Sequence, residues 1–208
     1  MKHRRSLVRL RHLPEMEQVQ FMVGFSTINR SHRDRYALHL LQNHLSDRSS
    51  SRIRIAVDSK GLVYSSGNFL DFFPDIGQYG VKAELSPDKL LTALENMAGE
   101  FAQLRSVLIT EEEFARAKSH LTMMTRKYFA DPLRTAIFLA RHIGVFGDYI
   151  STAEFLREIQ AVTRQRLRQV ARQTLTQRRL YFVAAGPLRG IKQHHIRKAL
   201  RFPKTPRT

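Results

Sequence analysis

The chain has 208 residues, 42% of them hydrophobic, enough to bury the core of one α/β domain and too apolar for disorder throughout. It has no cysteine, which excludes disulfides, Cys-ligated zinc, iron–sulfur clusters and thiol catalysis. The formal net charge of +17 belongs to the two ends: residues 1–12 carry five Lys/Arg, residues 159–208 carry 13, neither stretch has an acid, and 13–158 is close to neutral.

Residues 1–14 read as a basic linker or arm, preferred to a short organellar presequence; they lack the apolar stretch of a secretory signal. A cytoplasmic location is the expectation, with an organellar matrix as the alternative. No apolar run approaches the ~20 residues that cross a bilayer. Val19, Phe21, Val23 and Phe25 alternate, which predicts a half-buried strand within 16–27. Ser31 is the candidate N-cap of the next helix, with Asp34 near its positive end. Tyr36, Leu40, Leu41 and His44/Leu45 share one face of that helix. After a polar break at 47–51, Arg52 to Val57 suits a short second helix. Residues 62–73 and 76–85 predict an antiparallel hairpin turning near Pro74-Asp75.

The following hundred residues are mostly helical. Ser86-Pro87 opens a helix with Leu90, Leu91, Leu94, Met97, Ala98, Phe101 and Leu104 inward. Thr110 with Glu113 forms a capping box, and Phe114, Ala117, Leu121, Met124 and Tyr128 continue the apolar face. Asp131-Pro132 caps a helix to about Phe146, and Ser151 with Glu154 is a second capping box. Thr163 opens a helix with Leu167, Val170, Ala171 and Leu175 inward and Arg164, Arg168 and Arg172 outward. Leu180 to Ala185 read as a buried strand ending at Gly186-Pro187. A basic helix at about 189–200 and a frayed tail close the chain. The order predicts an α+β domain, an antiparallel or mixed sheet covered by helices, with its body at 15–188 and a basic helix and tail at 189–208.

The chemistry-bearing patterns are few. Zinc peptidases place two His at i and i+4 on one helix face with a carboxylate between them. None of the nine His is so placed: His39 and His44 are five apart with no Glu between, and His194-His195 are adjacent. There is no Gly-rich phosphate loop and no Gly-x-Ser-x-Gly elbow. Glu111, Glu112 and Glu113 are assigned to capping, and the Ser49-Ser50-Ser51 run has no identifiable base. The Arg-rich segment 164–172 has a well-formed apolar face and no interleaved aromatics, so nucleic-acid recognition is the minor reading.

Several segments, in order, resemble the insulinase (pitrilysin) family of zinc metallopeptidases, in the half that does not hold the metal. Gln18 to Phe25 resembles the family's opening strand. Arg33 to Leu41 resembles its first helix, Ser50-Ser51-Arg52-Ile53 its Ser-Ser-Arg-Leu, and Gly61-Leu62-Val63-Tyr64 its Gly-Leu-Ala-Tyr. Thr110 to Lys118 resembles a helix start of the Thr-Glu-Glu-Glu-Leu-x-Arg-Ala-Lys type, and Leu156 to Ala171 and Ala185-Gly186-Pro187 also fit, so that the similarity spans about 15–188. The resemblance implies one half of a clamshell whose other half carries zinc through His-x-x-Glu-His. It also implies that Tyr64 is the family's substrate-contacting tyrosine, donating from its phenol to a peptide carbonyl or oxyanion; a strand Tyr packed for its ring area is the competing reading. The partner arginine is missing: its position falls on Val57, or on Asp58 if one residue is deleted, and Asp47-Arg48-Ser49 replaces the usual Gly-Gly.

The resulting expectation is a non-catalytic half of a zinc peptidase, not active alone, that pairs with a zinc-bearing domain or subunit to enclose peptide, as a homo- or hetero-oligomer. It has no catalytic residue, metal ligand or cofactor of its own, zinc being expected only in the partner. The alternative is a structural module whose basic ends dock an acidic protein, a membrane or nucleic acid.

Overall fold

The computed structural model describes residues 7–46, 52–58 and 60–203. Five strands form one sheet: β1 (Leu7–His12), β2 (Val19–Thr27), β3 (Ser65–Phe72), β4 (Gly77–Leu85) and β5 (Leu180–Gly186), in the order β1-β5-β2-β4-β3. β1 runs parallel to β5, and the other pairings are antiparallel, so the sheet is mixed. β3 and β4 form the expected hairpin, in register from Ser65↔Glu84 to Phe72↔Gly77.

The helices among the described residues are α1 (Arg35–Ser46), α2 (Arg52–Val57), α3 (Leu90–Ser106), α4 (Glu111–Phe129), α5 (Pro132–Phe146), α6 (Thr152–Ala161), α7 (Arg164–Thr174) and α8 (Gln193–Ala199). A 3-10 turn, Pro87–Lys89, leads into α3. Strand alternation fixes which sheet face they cover. Val19, Phe21, Val23 and Phe25 of β2, Tyr79 and Val81 of β4, and Phe182 and Ala184 of β5 are buried under helices. Phe25 meets Phe101 of α3 edge-on, with ring centroids 5.1 Å apart. Both capping boxes form as the sequence predicts: the hydroxyls of Thr110 and Ser151 accept from the backbone N–H groups of Glu113 and Glu154, and each glutamate accepts back.

Three expectations change. Residues 7–12, placed in the basic arm on account of their arginines, form edge strand β1. Val8 is buried and Arg9 and Arg11 point out, a charged pattern that suits an edge. Ser31 does not cap α1: it is exposed in the preceding turn, the helix begins at Arg35, and the carbonyl of Asp34 accepts from the Leu38 N–H at 3.0 Å. The inward stripe of α4 passes through Phe114, Ala117 and Thr125, leaving Met124 and Tyr128 outside. The side chains of His44 and Leu45, and residues 1–6, 47–51 and 204–208 with the Ser50-Ser51 pair, lie outside the described residues. At the other end, α8 belongs to the fold, with Ile196, Ala199 and Leu200 buried.

Candidate functional site

The second face of the sheet carries the residues that alternate with the buried strand positions. Gln20 and Met22 of β2, Lys82 and Glu84 of β4, Val183 of β5 and Ser65 of β3 line a shallow cavity of about 460 Å3 on it. Met22 and Val183 are cross-strand partners, two large apolar side chains left 39% and 45% exposed side by side. Beside the cavity, the ring of Tyr181 lies over Gly24, where a Cβ would strike its phenol. The Tyr181 hydroxyl donates to Gln78 Oε1 at 3.1 Å, and burial, aided by the nearby Asp71 charge, pushes its pKa up to about 12. This open face combines apolar walls, a few charged groups and, at its border, β3, the terminal strand of the sheet among the described residues. Those are the properties that hold an extended peptide by side-chain pockets and backbone pairing.

Tyr64 stands at the entry to β3. Its backbone N–H donates to the Glu84 carbonyl at 2.8 Å, and its side chain is 64% exposed. The turn that delivers it is fixed: Gly61 adopts φ +61°, its N–H donates to the Asp58 carbonyl at 2.9 Å, and the Leu62 N–H donates to Val57 O at 2.9 Å. Tyr64 adjoins Ser65 at the cavity rim but is not among the residues that line the cavity.

Neither residue at the position of the family's arginine carries a guanidinium. Val57 is fully buried in the core, and Asp58 Oδ1 accepts from the Ser66 hydroxyl at 2.9 Å. Arg52 is held against α3, with Nε 3.1 Å from Glu100 Oε2 and a further hydrogen bond from Nη2 to Gln103 Oε1. The Glu100 carboxyl is itself pushed above the usual carboxylate range by burial, against the opposing pull of Arg52.

Among the described residues no group of three or more His, Asp or Glu side chains is arranged to hold a metal ion. His39 is half-buried between aromatic rings, 5.4 Å from that of Phe72, and His120 Nδ1 is hydrogen-bonded to the Asn43 side chain amide at 2.9 Å. The adjacent His194 and His195 lie on α8, where the His195 Nδ1 accepts from the Lys192 N–H at 3.2 Å. None of these described histidines stands in a donor set that fits zinc. Among the described residues no helix is long and apolar enough to cross a membrane.

The open-face reading was only partly legible from sequence. Met22 falls between the buried residues of β2, but Leu180 to Ala185 read as a wholly buried apolar strand; in the structure Val183 is exposed, and its pairing with Met22 is a matter of topology.

Comparison with known proteins agrees with the fold. The profile of the family described as "Peptidase M16 inactive domain" matches residues 2–121. The chain is 26% identical over 185 residues to an uncharacterized zinc protease of Streptomyces coelicolor, covering 88% of this chain and 40% of that protein. It is 30% identical over 165 residues to an uncharacterized zinc protease of Mycobacterium tuberculosis, covering 79% of this chain and 38% of that one. Among solved structures, a protease from Helicobacter pylori superposes with TM-score 0.79 at 18% identity, over 90% of this chain and 45% of that one. A chain of complex III from Candida albicans superposes with TM-score 0.78 at 16% identity, over 94% of this chain and 49% of that one. The chain belongs to the M16 (insulinase) family of zinc metallopeptidases, as its inactive, non-catalytic domain. It spans about two-fifths of the length of the curated relatives it matches.

Proposed function

We propose that the chain is the non-catalytic half of an M16-type zinc peptidase, pairing with a zinc-bearing domain or subunit to enclose and bind peptide. The observation that carries this is the open sheet face, with Met22 and Val183 exposed over a cavity of about 460 Å3, in a domain whose relatives are zinc proteases more than twice its matched length. The sheet would form one wall of the chamber, and Tyr64, at its rim, would reach the peptide backbone with its phenol. Zinc and the water it activates would come from the other half.

The test is metal analysis and peptide cleavage, with the chain alone and in its purified assembly. The expected result is no stoichiometric zinc and no cleavage alone, and chelator-sensitive cleavage in an assembly containing a His-x-x-Glu-His sequence. Zinc held by the chain alone, with cleavage, would overturn the reading.

The basic surface favours a second reading, a docking module for an acidic partner. Arg172, Arg178, Arg189, Arg197, Lys198 and Arg201 are all exposed, in a stretch with no acid after Glu158. Binding through this surface would fall steeply as salt rises across the physiological range. Binding indifferent to salt would discard it.

A further inference from the structure

Among the described helices, α5 departs furthest in its burial from its sequence. It is apolar around most of its circumference, yet none of its 15 residues, all within the described segments, is buried. Its ends are nonetheless well made. Asp131 accepts from the Arg134 N–H at 3.1 Å, Pro132 occupies the first turn, and Gly147 closes the helix at φ +67° with its N–H on Ile143 O at 2.7 Å.

Its inner side is pinned by rings. Phe138 meets Phe129 of α4 at 4.9 Å and Phe155 of α6 at 5.9 Å, both nearly edge-on. Phe146 lies under the Arg35 guanidinium of α1, 5.2 Å from ring centroid to Cζ. The helix is therefore held in one place by half of its apolar surface while the other half faces out.

The outward half is a stripe at helical spacing: Leu133, Ile137, Ala140 and Gly144, with Ile143 beside them. Leu133 is 70%, Ile137 41% and Ile143 50% exposed. Tyr128 at the end of α4 extends it, with the Arg134 guanidinium 5.9 Å over its ring. Ala140 and Gly144 make the stripe low between Ile137 and Ile143, a shape that admits the ridge of another helix. Rigid anchoring and small central residues suit a protein partner more than a lipid surface, for which a continuous bulky face would bury more area. An exposed apolar patch of this kind marks an interface. Its relatives supply the occupant: about three-fifths of their length lies outside the part this chain matches.

We infer that the outward stripe of α5 is the seat of the zinc-bearing half of the peptidase. This rests on the pairing proposed above and assigns it a surface. The partner buries Leu133, Ile137 and Ile143, with Arg134 and Arg141 at the rim, and the hydrophobic centre and polar edge match the usual anatomy of a stable interface.

The test places the photoreactive residue p-benzoylphenylalanine at position 137 of the protein in its own cells. The purified particle is then analysed for cross-linked peptides and for a His-x-x-Glu-His sequence, on the same polypeptide or another. The expected result is cross-links from position 137 to the zinc-bearing sequence. Adding Ile143→Asp should lower their yield at least about tenfold while the melting temperature falls by only a few degrees, the modest cost of a carboxylate in the last turn of α5 at a half-exposed position. If the zinc-bearing sequence is present but position 137 cross-links to a second copy, to lipid or to nothing, this inference fails and the pairing stands. If no zinc-bearing sequence accompanies the protein, the pairing fails and this inference falls with it.

Discussion

Arg166 on α7 grips Asp34 at the entry to α1, 132 residues earlier in the chain, its Nε and Nη2 each donating to a carboxylate oxygen at 2.7 Å. Asp34 is nearly buried, with 7% of its side chain exposed, and Arg166 is 30% exposed. The pair fixes α7 against α1 and places a negative charge at the positive end of a helix. Asp34→Ala and Arg166→Ala should each cost about 2–3 kcal/mol in urea denaturation, since either leaves a charged partner poorly satisfied. The double variant should lose clearly less than the sum, and Arg166→Lys should recover only part, because an ammonium cannot make the two-pronged contact. Additive losses would show the two side chains to be neighbours without coupling.

His39 gives the domain an acid-sensitive point. Its ring lies between those of Phe72 at 5.4 Å and Phe155 at 6.0 Å, and burial, then the charge of Arg35, pushes its pKa from 6.5 down to about 4. With a depressed folded pKa, the unfolded chain takes up the proton first as pH falls. The stabilising contribution is therefore complete above pH 6.5 and is lost progressively between pH 6.5 and about 4. The loss should be on the order of 3 kcal/mol. His39→Phe keeps the ring contacts and removes the titration, so its melting temperature should fall less than that of the wild type between pH 7 and pH 4.5. Parallel curves for the two proteins would assign the acid sensitivity to other groups.

Much of this architecture is written locally. The alternation of β2, the Pro-containing hairpin and the capping boxes at Thr110 and Ser151 each follow from residues close together in the chain, and the structure forms all of them. What sequence conceals is long-range. Asp34 looks like a helix-start acid, and only the fold brings Arg166 to it. Val8 sits among arginines, and only β5 offers it a neighbour that makes a strand of the segment. Met124 and Tyr128 read as core because periodicity reports amphipathicity and not what covers the face. For the candidate site, Tyr64 is reached through family resemblance, whereas the open sheet face beside it depends on β2, β4 and β5 being adjacent.

Two neighbours on β4 should respond in opposite directions. Tyr79 is fully buried, and its hydroxyl has no hydrogen-bond partner among the described residues; burial raises its pKa well above the ordinary phenol value. Tyr79→Phe removes a dehydrated polar group and keeps the ring, so thermal unfolding should show a gain of about 1 kcal/mol. Gly80 faces the other side, paired with Gly24, and a Cβ there would sit 2.6 Å from Gly24 Cα and 2.7 Å from the Phe69 ring. One of these obstacles is backbone and cannot yield. Gly80→Ala should cost on the order of 3 kcal/mol, from overpacking. A destabilised Tyr79→Phe would mean that the hydroxyl is satisfied, for example by an internal water.

Tyr64 separates stability from binding. Its side chain is 64% exposed, while its backbone is held by the hydrogen bond to Glu84 and by the Gly61 turn beneath it. Tyr64→Phe should therefore leave unfolding within about 0.5 kcal/mol of the wild type. In the assembled peptidase the phenol would stand at the chamber rim without the family's arginine, because Val57 is core and Asp58 is engaged by Ser66. A single neutral hydrogen bond to a peptide carbonyl contributes about 0.5–1.5 kcal/mol, so loss of the hydroxyl should weaken binding of an unstructured fluorescent peptide by about 2- to 10-fold. Tyr64→Ala, which also removes the ring, should weaken it further at unchanged stability. Peptide affinity that stays the same in both variants would leave Tyr64 as an exposed strand-entry residue, and would shift substrate contact to Met22, Lys82 and Val183 on the open sheet face.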